Sequence, residues 1–450
     1  MKRRTGWVVV VAAVVMGAAV TVPGPVALAA PAADGSDYAF DPDARDVPAA
    51  DGTGGAVRLD AGRVYRSALV GRGKAYYRLA LDAAVTAYVS VTAVPDPEDT
   101  LASGDGIRVA VQNADGVNCS YDSSTVGASR DRRPVTAWGA REILVGKGLC
   151  QEAGTYYLVV ERAETDTATE RPWELELAPV AEAAVRRGGP TDGPGAWDSA
   201  PPAPPSGEPA DGDGGGGFTR ASRLRPGVWR DEIAPGQSLF YKVPVGWGQQ
   251  VHATAELGSA AGAGTGFVVP ALDLALHNPV RAEVVNASVG YDGGQKTAAL
   301  PVLPPVGYAN RYAPTDPARS LRFAGDHYLV VHLSARVADR FGDGPYDLVL
   351  RITVDGTTQD GPRYTGPSVP GGLFGPGSDG LPGSDAVAAG PTGNGDGTAG
   401  SSGDRGAMTA VAAGGIGTGT ALLLVLGGWT AVARRRAGAQ IRARAQNPTA

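Results

Sequence analysis

The chain has 450 residues, of which 66 are Gly and 35 are Pro, so the length that can fold is well short of the three or so domains its size implies. Its formal charge is −6, and the eight Lys and Arg residues of the two termini have no acidic neighbours, which leaves the region between them near −14. A surface of that sign argues against nucleic acid or anionic lipid as a partner and reads as acidic solvation.

Met1-Lys2-Arg3-Arg4 precedes an apolar stretch from Trp7 to Val22 and then Ala27-Leu28-Ala29. This is the charged, apolar and small-residue order of a secretory signal peptide, so residues 1–29 are expected to be removed on export. Thr5-Gly6-Trp7 lacks the apolar residues that twin-arginine export needs after Arg3-Arg4, and no Cys lies near the cleavage point to carry a lipid. Residues 30–54 read as a disordered segment, 55–182 as a first β domain, and 183–217 as a Pro/Gly linker containing Pro201-Pro202-Ala203-Pro204-Pro205. Residues 218–356 read as a second β domain and 357–406 as a disordered stalk. Residues 407–433 carry no charge and include Ala421-Leu422-Leu423-Leu424-Val425-Leu426, enough for one transmembrane helix. Arg434-Arg435-Arg436, Arg442 and Arg444 then make 434–450 a basic cytoplasmic tail, with the N-terminus outside. Within the helix, Gly415 and Gly419 form a Gly-x-x-x-Gly pair and are candidates for helix packing and self-association. Leu381-Pro382-Gly383-Ser384-Asp385 lacks the Thr-Gly pair of a sortase motif, so the anchor is expected to be the helix itself.

The two β regions repeat one another. Tyr65-Arg66 recurs as Trp229-Arg230, and Tyr76-Tyr77-Arg78-Leu79 as Phe240-Tyr241-Lys242-Val243. Gly154-Thr155-Tyr156-Tyr157-Leu158-Val159-Val160 matches Gly325-Asp326-His327-Tyr328-Leu329-Val330-Val331, and Pro172-Trp173-Glu174-Leu175 matches Pro345-Tyr346-Asp347-Leu348. Within each copy the period is two. Ile107, Val109 and Val111 alternate with Arg108, Ala110 and Gln112, and Trp173, Leu175 and Leu177 alternate with Glu174 and Glu176. Such alternation predicts antiparallel strands with one face in a core and the other in solvent. The expected fold is all-β: two tandem antiparallel, jelly-roll-like β-sandwiches plus one C-terminal transmembrane helix.

The Tyr-bearing early strands at Tyr76 and Phe240, with the Gly-x-Tyr-x-Leu-x-Val strand at Gly154 and the related strands at Gly325, Trp173 and Tyr346, resemble bacterial pre-peptidase C-terminal modules. That resemblance covers about two thirds of the mature chain, and it implies a β-sandwich fold and an accessory role in surface binding. The family accompanies secreted hydrolases, but this chain has no His-Glu-x-x-His helix and no Gly-x-Ser-x-Gly elbow.

Cys119 and Cys150, the two cysteines of an exported chain, are expected to form a disulfide. Trp173 and Trp229 align with aromatics in the other copy and read as structural, whereas Trp138 and Trp247 have no counterpart and are the candidate ligand contacts. His252, His277, His327 and His332 all fall in the second copy and read as surface or edge histidines. His327 and His332 are five apart and so face opposite ways on one strand. Asp115, Asp122, Asp292 and Asp343 read as turn residues in Gly-containing loops, with calcium binding as the alternative. No catalytic, cofactor or metal residue is assigned. The expectation is a non-enzymatic cell-surface protein that binds an envelope protein or an extracellular glycan. The alternative is an accessory subunit of a membrane-bound hydrolase or secretion complex.

Overall fold

A computed structural model describes residues 38–375, apart from 72, 145, 164–170, 187–191 and 263. The expected signal peptide, the membrane helix with Gly415 and Gly419, and the basic tail lie outside the described residues. Among the described residues no helix is long and apolar enough to cross a membrane.

The first copy contributes β1 (Arg45–Asp46), β2 (Val57–Arg58), β3 (Tyr65–Leu69), β4 (Lys74–Leu81) and β5 (Thr86–Val94). It continues with β6 (Gly106–Gln112), β7 (Asn118–Thr125), β8 (Val135–Arg141), β9 (Gly154–Ala163) and β10 (Trp173–Glu182). The second copy contributes β11 (Ala210–Asp211), β12 (Ser222–Arg223), β13 (Gly227–Ile233), β14 (Ser238–Val245) and β15 (Gln250–Leu257). Its remaining strands are β16 (Val268–His277), β17 (Glu283–Tyr291), β18 (Lys296–Ala299), β19 (Gly325–Leu333) and β20 (Tyr346–Asp355). The protein is thus mostly β, with short helices at Asp316–Ser320 and Ala338–Phe341.

Four five-stranded sheets result, two per copy, and their orders coincide. The first copy has β1-β3-β10-β5-β8 and β2-β4-β9-β6-β7; the second has β11-β13-β20-β15-β18 and β12-β14-β19-β16-β17. Pairings between the long strands are antiparallel, and only the two-residue strands pair in parallel. In each copy the two sheets enclose one core. Tyr77, Leu79, Val109, Val111, Leu158, Val160, Trp173 and Leu175 meet in the first, as the alternation predicts. The corresponding Tyr241, Val243, Leu274, Leu276, Leu329, Val331, Tyr346 and Leu348 meet in the second.

Three segments behave differently from their sequence reading. β1 lies in the stretch read as a disordered lead-in and β11 in the stretch read as a linker, because two-residue strands are too short to show a period. Residues 357–375, read as the start of the stalk, lie against both copies. Val369 and Ala181 exchange backbone hydrogen bonds, the Thr365 N–H donates to the Ala184 carbonyl, and Phe374 stacks on Phe323 with ring centroids 5.0 Å apart. Pro and Gly gave this segment a disordered composition, yet its few apolar and aromatic residues find neighbours that only the tertiary fold supplies.

The expected disulfide is present. Cys119 on β7 joins Cys150 in the β8–β9 connection, with Cα atoms 5.7 Å apart. By the chain-entropy estimate, closing this loop contributes about 3–4 kcal/mol. The same corner protects an edge strand, since Asp122 and Ser120 on β7 accept the Trp138 and Ala140 N–H groups of β8. Asp122, read as a turn residue, is therefore a strand residue that caps a neighbouring backbone.

The sheet β3-β10-β5-β8 is covered on both faces. Its outer face packs on the second copy: Tyr88 and Val180 meet Val280, Ala282 and Phe323, in the connections that flank β16-β17 and β19, and Val94 joins the cluster that holds Tyr328 and Val330 on the outer face of β14-β19-β16-β17. A second contact brings Tyr38 against Phe240 and Phe218. This accounts for the near-continuous burial of β5 and β10, whose outward positions alternation assigns to solvent.

Candidate functional site

The joint between the copies is built on ionised side chains. Glu176 on β10 is only 1% exposed and accepts from the Tyr38 hydroxyl at 2.9 Å, the Asp41 N–H at 2.8 Å and Arg281 at 2.6 Å. Glu182, at the end of the same strand, accepts from Tyr88 at 2.8 Å, Tyr364 at 2.9 Å and Arg311 at 3.1 Å. Glu142 pairs with Arg322 at 2.5 Å, and Asp131 lies 3.2 Å from His332 Nε2. Arg133 and Asp273, at 3.9 Å, form the one pair of opposite sense. Four of these five contacts therefore place the acid on the first copy and the basic residue, three arginines and His332, on the second, which fixes which face meets which.

At three arginines and two acids of the joint burial disfavours the charged form and the partner reverses its effect, whereas at Asp273 burial outweighs Arg133 and raises the carboxyl. Burial works against the charged forms of Arg281, Arg311 and Arg322, but Glu176, Glu182 and Glu142 outweigh it and hold all three above the ordinary guanidinium value. Burial likewise raises Glu142 and Asp131, yet Arg322 and His332 bring them below their ordinary values. Desolvation, assisted by the adjacent carboxylates, pushes the Tyr38 and Tyr88 phenols well above theirs. All five tyrosine and arginine donors around Glu176 and Glu182, Tyr364 included, thus stay protonated across the physiological range.

At the edge of this joint lies a cleft of about 300 Å³ bordered by Trp138, Asp122 and Lys147 from the first copy and by Arg319 and Arg322 from the second. Trp138 is half-buried; the Arg322 guanidinium lies 5.4 Å from its ring centroid, and the Tyr88 ring lies 5.8 Å from it, centroid to centroid. Burial raises the Asp122 carboxyl, and Glu283 and Asp316 add to the effect. Trp247 borders a larger open groove of about 1170 Å³, together with Tyr308, Arg186, Arg363 and Tyr364. Its ring belongs to the core of the second copy and is 7% exposed. The two candidate tryptophans thus border separate concavities and are not brought together.

Three histidines read as surface or edge residues are buried: His277, His327 and His332 are 5%, 0% and 2% exposed. His277 and His332 lie on the face covered by the first copy, and His327 takes the core position that Tyr156 holds in the first. Among the described residues, no group of three or more His, Cys, Asp or Glu side chains converges as a metal site would. Sequence reasoning missed Glu176, Glu182, Arg281, Arg311 and Arg322. A signal existed in β10, where Ala178 and Val180 interrupt the outward row between Glu176 and Glu182 and break its polar character.

No family model matches the sequence, and no curated protein does. Among solved structures the chain is similar to tripeptidyl peptidase 2, at 10% identity and a TM-score of 0.19, covering 66% of this chain and 24% of that one. It therefore spans about a quarter of that protein's length. It is also similar to the CUB1-EGF-CUB2 region of human MASP-1/3, at 7% identity and a TM-score of 0.15, covering 64% of this chain and 99% of that one. A third is the tandem CBM22 region of Paenibacillus barcinonensis Xyn10C, at 12% identity and a TM-score of 0.18, covering 66% and 92%. Scores this low carry no argument about what the chain does.

Proposed function

We propose that this protein is a non-enzymatic cell-surface binding protein whose two sandwiches act together. The matching sheet orders of the copies support reading each as a jelly roll of the pre-peptidase C-terminal type. The charged, apolar and small-residue order of residues 1–29 and the uncharged apolar stretch 407–433 with the basic residues after it support a binding region outside the cell membrane and a basic tail in the cytoplasm. The observation that carries the reading is the cleft at the joint, where Trp138 and Lys147 from one copy and Arg319 from the other border one open surface. An aromatic wall with ionic groups of both signs suits an extracellular glycan or a protein surface of the envelope. The partner is expected outside the membrane, and neither cofactor nor nucleic acid is required.

Binding of the full-length protein in mild detergent to isolated cell-wall material and to envelope extract tests this. Trp138→Ala is expected to weaken retention on one of these at least about tenfold, in line with the loss of one aromatic anchor. Equal retention of wild type and variant on both would remove the cleft from the account. A stoichiometric membrane-bound hydrolase in the extract would instead favour the accessory-subunit role.

A further inference from the structure

The joint between the copies uses one face from each, and because the copies share one fold, each has a matching face that the joint does not use. On the sheet β14-β19-β16-β17, the outward row Phe240, Val330, Ala275 and Asn286 runs across four paired strands. This face is the one packed on the first copy. The equivalent row of β4-β9-β6-β7 is Tyr76, Val159, Ala110 and Tyr121. It keeps the aromatic, Val and Ala of the covered face in the same strand order; Val159 and Ala110 are already buried, so the half-buried Tyr76 and Tyr157 and the exposed Tyr121 are what this face offers a partner. Tyr157 stands where Tyr328 does, and Arg78 where Lys242 does. Tyr121 is 57% exposed, and Arg78 and Arg108 are exposed on either side of the row. Tyr and Arg on a flat sheet face are the residue types that protein interfaces favour.

The complementary face is also duplicated. The outer side of β3-β10-β5-β8, which carries Glu176 and Glu182, corresponds to the outer side of β13-β20-β15-β18. There Glu232 and Asp347 stand directly opposite one another and are exposed. Neither has an ion-pair partner among the described residues, and the same holds for Arg78 and Arg108, whereas Lys74 pairs with Glu161 and Arg351 with Glu256. Lys74, Arg78 and Arg108 against Glu161 leave the first face with an excess of cations, and Glu232, Asp347, Glu256 and Asp211 against Arg230 and Arg351 leave the second with an excess of anions, the charge sense of the joint already made within the chain.

We infer that the outward face of β4-β9-β6-β7 docks a second copy of this chain through that copy's β13-β20-β15-β18 face, repeating between chains the joint made within one. The contact is head to tail, so it leaves one free face at each end and generates a row or a ring of chains rather than a closed pair. It does not depend on the cleft or on the ligand proposed for it.

The test uses two differently tagged full-length chains in detergent, one carrying Thr155→Cys and the other Thr297→Cys, exposed positions on the two faces. A thiol-specific bifunctional reagent should crosslink the mixed pair, and either chain with itself at least about tenfold less. Reversing charge on one face, Arg78→Glu with Arg108→Glu, should lower mixed crosslinking at least about tenfold, because like charges then meet. Combining that chain with one carrying Glu232→Lys and Asp347→Lys should restore it. Crosslinking that is equal in like and mixed pairs, or unmoved by charge reversal, overturns the inference and assigns association to another surface such as the membrane helix. Tyr76→Ala that impairs glycan binding while the chain sediments as a monomer also overturns it. Retention on wall material by a monomeric chain leaves the binding reading intact while rejecting this one.

Discussion

Replacing Glu176 with Ala probes the joint where it is most enclosed. The wild-type carboxylate is 1% exposed and serves Tyr38, the Asp41 N–H and Arg281, and Arg281 is itself only 9% exposed. Truncation leaves a guanidinium in low-dielectric surroundings without its counter-charge, and breaking a buried pair from one side costs about 3–5 kcal/mol. Removing both partners, in Glu176→Ala with Arg281→Ala, takes away the stranded charge and should recover about 2 kcal/mol of that loss. Urea unfolding followed by tryptophan fluorescence and far-UV circular dichroism reads both quantities. Since the joint ties the copies together, the single variant is also expected to separate the unfolding of the copies into two steps. A single-variant loss below about 1 kcal/mol, or a double variant as unstable as the two single losses added together, would refute the claim that Glu176 and Arg281 hold the copies as a pair.

Other expectations follow from burial and titration. His327 is fully buried, and desolvation lowers it from 6.5 to about 4, so the unfolded chain takes up its proton first as the pH falls. Its contribution is complete above the unfolded value and falls away between pH 6.5 and 4, costing about 2 kcal/mol between pH 7 and pH 5; His327→Leu should remove that slope from the unfolding free energy. Glu142 and Asp131 run in the usual carboxylate sense. Their folded values lie below the ordinary 4.5 and 3.8, so their contribution is present above those values and lost as acid takes the pH below them. Replacing Cys119 and Cys150 with Ala should lower the urea-extrapolated stability by about 3–4 kcal/mol, and mass analysis of the native protein should find no free thiol. Asp122→Ala exposes the Trp138 N–H of an edge strand without an acceptor, and its unfolding free energy should fall by about 1–3 kcal/mol.

Much of the fold was legible because it depends on local spacing. Ile107, Val109 and Val111 face the first core as their period of two requires, and the paired motifs at Gly154 and Gly325 open the same strand, β9 and β19, of the two copies. The cysteine pair was legible for a similar reason, since two cysteines in one copy leave one pairing. The joint was not. Glu176 sits in perfect alternation with Leu175 and Leu177, and period alone sends it to water; only a cation more than a hundred residues away turns that position inward. Arg281, Arg311 and Arg322 lie in connections with no period, where an arginine looks like any other solvated charge. Trp138 and Trp247 were picked because they break the repeat, and each borders a concavity, yet nothing in their spacing indicates that the first lies beside Arg322 and the second in a core.

The claim on which the rest depends is that the two copies are held against each other through their sheet faces instead of hanging freely on a Pro/Gly connection. Spin labels at Asp115→Cys and Asp339→Cys, exposed positions in the first and second copies, allow that distance to be measured by double electron–electron resonance on the full-length protein. The account predicts one narrow distance distribution at neutral pH that broadens in Glu176→Ala. A broad distribution in the wild type, unchanged by that substitution, would contradict it.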